Sequence, residues 1–205
     1  HLLGYNPKYK VFTVPHYQDD YLGQQVSKLQ AHHHSLDSDF ILFVDSDCIF
    51  SNPVTPETFL KDGKPFILKT KYASMSGDVL SWQPITEKAL GFKPEYEYMR
   101  RLPLMYHTSH LSQLQNFLQM KHVMKLETYI VNQPLRSFSE FNVLGAFCEK
   151  YYSNVYDFHD TELGFPENVA IQFWSHGWRN GDKENILAQI NKVLDSEPKA
   201  KGTKK

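Results

Sequence analysis

Cysteine is nearly missing from this chain of 205 residues: only Cys48 and Cys148 occur, far apart and each among apolar neighbours. Two such residues do not make a disulfide framework, and a buried free thiol is the commoner state of cysteine in apolar company. A bias of charge is missing as well. Lys and Arg number 22 against 23 Asp and Glu, for a net charge of -1, so there is no uniform basic field to draw a polyanion and no nucleic-acid partner is expected. No apolar run approaches the roughly 18 residues of a membrane-spanning helix, so no membrane span is expected. The opening "HLLGYNPKYK" lacks a basic segment followed by an apolar one, and the expected location is the cytoplasm. No internal repeat occurs.

What is present is material for a core. Apolar residues make up 41% and aromatics 14%, which excludes wholesale disorder, and the length suits one domain. That domain is expected over 1–196. The remaining 197–205, "EPKAKGTKK", is polar and Lys-rich and reads as a flexible tail or linker, with further domains conceivable at either end.

Along the chain, "KYKVFTVP" reads as a short strand closed by Pro15. "DDYLGQQVSKLQAHHH" reads as a helix, with acids in its first turn and Leu22, Val26 and Leu29 at helical spacing. A strand over Asp39 to Val44 follows, and strand, helix, strand in that order predicts a βαβ unit with a parallel pair. "SNPVTPETFL" reads as a turn and short helix, and "DGKPFILKT" as a turn and strand. Helices are expected over 80–90 and 109–120, with Met105 to Thr108 as a strand and "GFKPEYEYMRRLP" as a loop or small insertion. "SEFNVLGAFCEKYY" predicts a helix capped by Ser139, "NVYDFHD" and "NVAIQFWSH" predict strands, and Asp182 to Asp195 a final helix. The expected class is α/β with a mainly parallel central sheet flanked by helices.

In "DFILFVDSDCIF" an apolar strand runs into Asp45-Ser46-Asp47. Ligands of open parallel sheets collect beyond the carboxyl ends of the strands. Two carboxylates this close repel unless a cation lies beside them, and hard oxygen ligands favour Mg²⁺ or Mn²⁺, with phosphate oxygens and water completing the shell. The competing reading is an Asp-rich turn whose carboxylates bond nearby backbone N–H groups. Both readings stay open on the motif alone.

"FILFVDSDCIF", with "GQQVSKLQA" ahead of it and "DGKPFILKT" after it, resembles the donor-site region of Asp-x-Asp glycosyltransferases of the GT-A fold. Together with "FSEFNVLG" it is similar to a sparsely characterised glycosyltransferase-like family. The resemblance covers Tyr21 to Lys71 and Ser137 to Ala146. It implies a GT-A, Rossmann-like single domain and a metal held by Asp45 and Asp47 that clamps a nucleotide-sugar diphosphate. His176, after the apolar "VAIQFW", is implied as a further metal ligand. Lys28, which shares a helix face with Gln24 and Gln25, is a candidate for neutralising phosphate or orienting Asp45. Glu140 follows the expected cap Ser139 on a stripe with Leu144, Phe147 and Tyr151, so it leans toward the packed side. The resemblance implies that it deprotonates the acceptor hydroxyl.

Each candidate has a plainer reading: a solvated lysine, a surface histidine, a glutamate favoured by the helix dipole. Trp178, with Arg179 in "HGWRNG", is placed to cover a ligand, whereas Trp82, Trp174, Tyr96 and Tyr98 are more ordinary core aromatics. His32-His33-His34 reads as a helix end, since consecutive helical residues point in different directions. Nine residues precede Lys10 in this sequence, too few for the strand and helix with which GT-A domains open, so that unit is not expected here. UDP is an expectation of the resemblance alone, and Asp19 or Asp20 of "PHYQDD" is the candidate contact to ribose or base.

The expected activity is therefore metal-dependent transfer of a sugar from a nucleotide-sugar, UDP-linked by resemblance, to a glycan or other hydroxyl acceptor, with inversion. Two alternatives stand beside it. One is a haloacid-dehalogenase-like phosphotransferase, although Cys48-Ile49 stand where that family usually has Gly or Val then Thr. The other is a noncatalytic nucleotide-sugar binding module.

Overall fold

Asp19 opens the first helix. Its carboxylate accepts the Leu22 N–H at 3.0 Å and so satisfies one of the donors that a helix leaves unbonded at its start. In the computed structural model, which describes residues 10–35, 37–100, 102–173 and 182–196, helix α1 (Asp20–Leu29) buries Leu22, Gln25, Val26 and Leu29 and leaves its other face wetter. The elements that follow are β1 (Phe40–Phe43), β2 (Cys48–Phe50), β3 (Leu60–Lys61), β4 (Lys64–Lys71), α2 (Trp82–Leu90), β5 (Tyr96–Glu97), β6 (Leu104–His107), α3 (Thr108–His122), α4 (Leu126–Val131), α5 (Glu140–Tyr152), β7 (Asp157–Asp160), β8 (Ala170–Gln172) and α6 (Asp182–Ser196).

The strands form small sheets whose pairing is mostly antiparallel. β1 pairs with β6, Phe40 opposite His107 and Phe43 opposite Leu104. β2 pairs with β8, Cys48 opposite Gln172. β4 takes β3 and β5 as antiparallel neighbours, and its pairing with β7 is the one parallel ladder among the described residues. This overturns the expected GT-A, Rossmann-like domain with a mainly parallel central sheet. The physical reason lies in "KVFTV". Those residues carry no regular structure and leave Val11, Phe12 and Val14 exposed, so α1 does not connect two parallel strands. After Asp47 the chain passes directly into β2, and β1 finds its partner far along the sequence.

Helix α5 is the axis of the packing. Glu140 through Cys148 are all buried, as expected for a helix enclosed on every side rather than lying on a surface. Phe141 meets Phe43 edge-on at 5.3 Å between centroids and lies parallel to Tyr106 at 6.4 Å. Tyr106, Phe138 and Phe141 are among the largest fully buried side chains. Gly145 is required here because a Cβ would overlap the side chain of Tyr98, which packs directly on the helix backbone. Among the described residues no helix is long and apolar enough to cross a membrane.

Candidate functional site: a buried ion array beneath an acidic turn

The turn joining β1 to β2 is Asp45-Ser46-Asp47, closed by Cys48 N–H donating to the Asp45 carbonyl at 3.0 Å. Its two carboxylates go to different partners. Asp45 Oδ1 lies 2.7 Å from Lys28 Nζ. Asp47 Oδ1 accepts from the Gln172 side-chain amide at 3.3 Å, and the Asp47 carbonyl accepts Phe173 N–H at 2.8 Å. Neither side chain has turned into backbone bonds of its own loop, the arrangement of an ordinary Asp turn.

Lys28 is the centre. Its ammonium lies 3.0 Å from Glu140 Oε1 as well as 2.7 Å from Asp45, and 5.0 Å from the centroid of the Phe141 ring. The side chains of Lys28, Asp45 and Glu140 are 14%, 15% and 1% exposed, so this is an ion array set inside the protein. α1 supplies Lys28, the end of β1 supplies Asp45, and the first residue of α5 supplies Glu140. Burial disfavours the charge on Lys28, but Glu140 and Asp45 outweigh it and hold the ammonium above its ordinary pKa. Burial pushes the Glu140 carboxyl above its ordinary pKa despite the attraction of Lys28. Glu140 Oε2 is buried and has no hydrogen-bond partner among the described residues.

Other sequence candidates are placed as follows. Gln25, 3% exposed, accepts the Glu140 N–H on Oε1 at 3.0 Å, so it caps α5 from the side and points inward. Asp19 caps α1. Tyr21 sits beside this region, donating from its hydroxyl to the Phe138 carbonyl at 3.0 Å. His176, Trp178 and Arg179 lie outside the described residues. Among the described residues no group of three or more His, Cys, Asp or Glu side chains forms a metal cluster. Asp45 and Asp47 are hard oxygen donors, the type used by cations that bind one or two carboxylates and take their remaining ligands from phosphate and water. The Glu140 oxygen without a partner among the described residues leaves hydrogen-bonding capacity unmet in the array.

A second buried array went unread in the sequence. Asn142, wholly buried, accepts on Oδ1 from Tyr98 N–H at 2.9 Å and the Tyr72 hydroxyl at 3.3 Å. Through Nδ2 it donates to Ser139 Oγ at 3.0 Å and Glu97 Oε1 at 3.3 Å. Glu97 also accepts Met99 N–H at 2.8 Å and pairs with Arg100 Nε. The available signal was a polar residue inside the otherwise apolar "FNVLGAF". A cleft of about 350 Å³ lined by Lys61, Lys64, Lys69, Glu149 and Asp157 shares no residue with either array, and its Lys61 and Lys69 are already paired with Asp157 and Glu149.

Fold and site together define a mixed α/β protein with a carboxylate–ammonium–carboxylate array beneath an acidic turn at a strand end. The chain belongs to the family of unknown function DUF6492, whose model matches residues 11–182. No curated protein and no solved structure matches it.

Proposed function

We propose that the protein is a metal-dependent transferase acting on a nucleotide-sugar, with Asp45 and Asp47 as the carboxylates that hold Mg²⁺ or Mn²⁺. The observation that carries this reading is the buried Asp45–Lys28–Glu140 array at the end of β1, with one Glu140 oxygen lacking a hydrogen-bond partner among the described residues. A bound divalent cation supplies charge neutralisation to a diphosphate leaving group. Support also comes from the motif's resemblance to nucleotide-sugar enzymes.

Lys28 contributes a cation held in place by two carboxylates and by the Phe141 face. In a site of low dielectric such a charge is worth more to a phosphate than a solvated lysine would be. Gln25 fixes the start of α5 and with it the position of Glu140. In transfer, the acceptor oxygen bonds to the anomeric carbon as the bond to diphosphate breaks; the electron pair leaves with the diphosphate, and the acceptor proton goes to Glu140 Oε2. Direct attack in one step inverts the anomeric centre. Glu140 is 1% exposed, so contact with an acceptor requires the packing over it to open.

The reading is tested by incubating the chain with Mn²⁺ and a panel of nucleotide-sugars, with and without simple glycan acceptors. Release of nucleoside diphosphate that stops on chelation supports it. Release of phosphate from phosphomonoesters instead would make the protein a phosphotransferase, and metal-dependent binding without turnover would make it a binding module.

A further inference from the structure

The corner between α3 and α4 turns apolar side chains outward. Met120, Val123 and Met124 are 81%, 89% and 41% exposed. Val123 is held at φ 52°, the left-handed region that a β-branched residue tolerates worst. The corner is firmly seated: His122 Nε2 bonds the Ala89 carbonyl at 3.0 Å, its ring stacks on Tyr129 at 4.1 Å, and Leu118 and Leu126 on either side are wholly buried. The outward set of Val123 is thus fixed by the packing beneath it.

Within the corner itself the charged side chains are lysines. Met120 to Lys125 reads MKHVMK, with Lys121 and Lys125 exposed and no carboxylate within it. The next acid, Glu127, accepts from the Gln30 side chain at 3.5 Å. The Lys121 ammonium lies against Gly91 at the end of α2. There Lys88 and Lys93 are matched by Glu87 and Glu95, and with Glu127 set against Lys121 and Lys125 the corner keeps a surplus of one positive charge.

We propose that this corner docks on an anionic lipid surface, with Met120, Val123 and Met124 entering the boundary of the acyl chains and Lys125 meeting the headgroups. A projecting apolar tip beside an ammonium matches the layering of such a surface, apolar below and negative above, and a lysine stem spans the two layers. This docking is independent of the transferase reading.

The test is co-sedimentation of the full chain with vesicles of phosphatidylcholine alone or mixed with phosphatidylserine. Binding is expected to the mixed vesicles, weakening as salt is raised. Lys125→Glu should weaken it by about fivefold or more. Val123→Asn should weaken it while raising the melting temperature, because Asn accepts the left-handed backbone that Val resists; that opposite movement separates lost docking from lost folding. Failure of the native chain to bind mixed vesicles would overturn the proposal, as would unchanged binding by Val123→Asn and Lys125→Glu. Self-association that depends on Met120, Val123 and Met124, without vesicle binding, would overturn it in favour of a second copy as the occupant.

Discussion

Two glutamates, Glu97 and Glu140, are buried almost completely near the start of α5, and they are treated in opposite ways. Glu97 is saturated: it accepts Met99 N–H and the Asn142 amide on one oxygen and pairs with Arg100 through the other. Glu140 shares one ammonium with Asp45 and keeps an oxygen without a hydrogen-bond partner among the described residues, and burial raises its carboxyl above its ordinary pKa. A saturated buried carboxylate fixes a loop against a helix. An unsaturated one leaves free energy available to a ligand, because whatever reaches it restores an interaction that folding left unmade. The site is read at Glu140 for that reason.

The sharpest way to break the contrast is Glu97→Ala. It strips Arg100, Met99 N–H and Asn142 of their acceptor at once and should destabilise the fold by about 3–5 kcal/mol in urea unfolding. A loss under about 1 kcal/mol would mean that the saturated array is not structural. Lys28→Met should cost about 3 kcal/mol near neutrality, and that cost should depend on pH. The folded-state pKa of Glu140 lies above its unfolded value, so its contribution to stability is full below the unfolded value and is lost as pH rises through the folded one. The cost of Lys28→Met should therefore shrink toward acid pH, and adding Glu140→Gln should flatten the profile. Gly145→Ala should cost about 1–3 kcal/mol from overpacking against Tyr98, opposite in sign to the usual gain of Ala over Gly inside a helix. Asp19→Ala is the smallest change: loss of the α1 cap should cost about 1 kcal/mol and leave nucleotide affinity intact. A large loss of affinity would instead return Asp19 to the ligand.

Much of the local structure was legible because it is set by neighbours in sequence. Leu22, Val26 and Leu29 announced α1, Ser139 announced the start of α5, and the apolar run through Phe43 announced β1. The stripe of Glu140 with Leu144 and Phe147 turned that carboxylate inward. The sheet was not legible. An apolar run states that a strand is half-buried, but the direction of its partner depends on contacts across the chain, here β6 some sixty positions on. "KVFTV" has strand-forming residues yet lies exposed, so propensity without a packing partner misled the reading. Helix α4 escaped because its six residues, Leu126–Val131, are too few for a helical repeat to show. The Asn142 array escaped because Glu97, between two tyrosines, looks like the solvent-facing residue of an alternating strand.

The central claim is that the β1–β2 turn grips a metal and a diphosphate. It is tested most directly by calorimetric titration of a panel of nucleoside diphosphates into the native chain and Asp47→Ala, with and without Mn²⁺. The account predicts binding to the native chain that requires Mn²⁺ and falls at least about tenfold in Asp47→Ala. Binding indifferent to Mn²⁺, or equal affinity in the two chains, would contradict it.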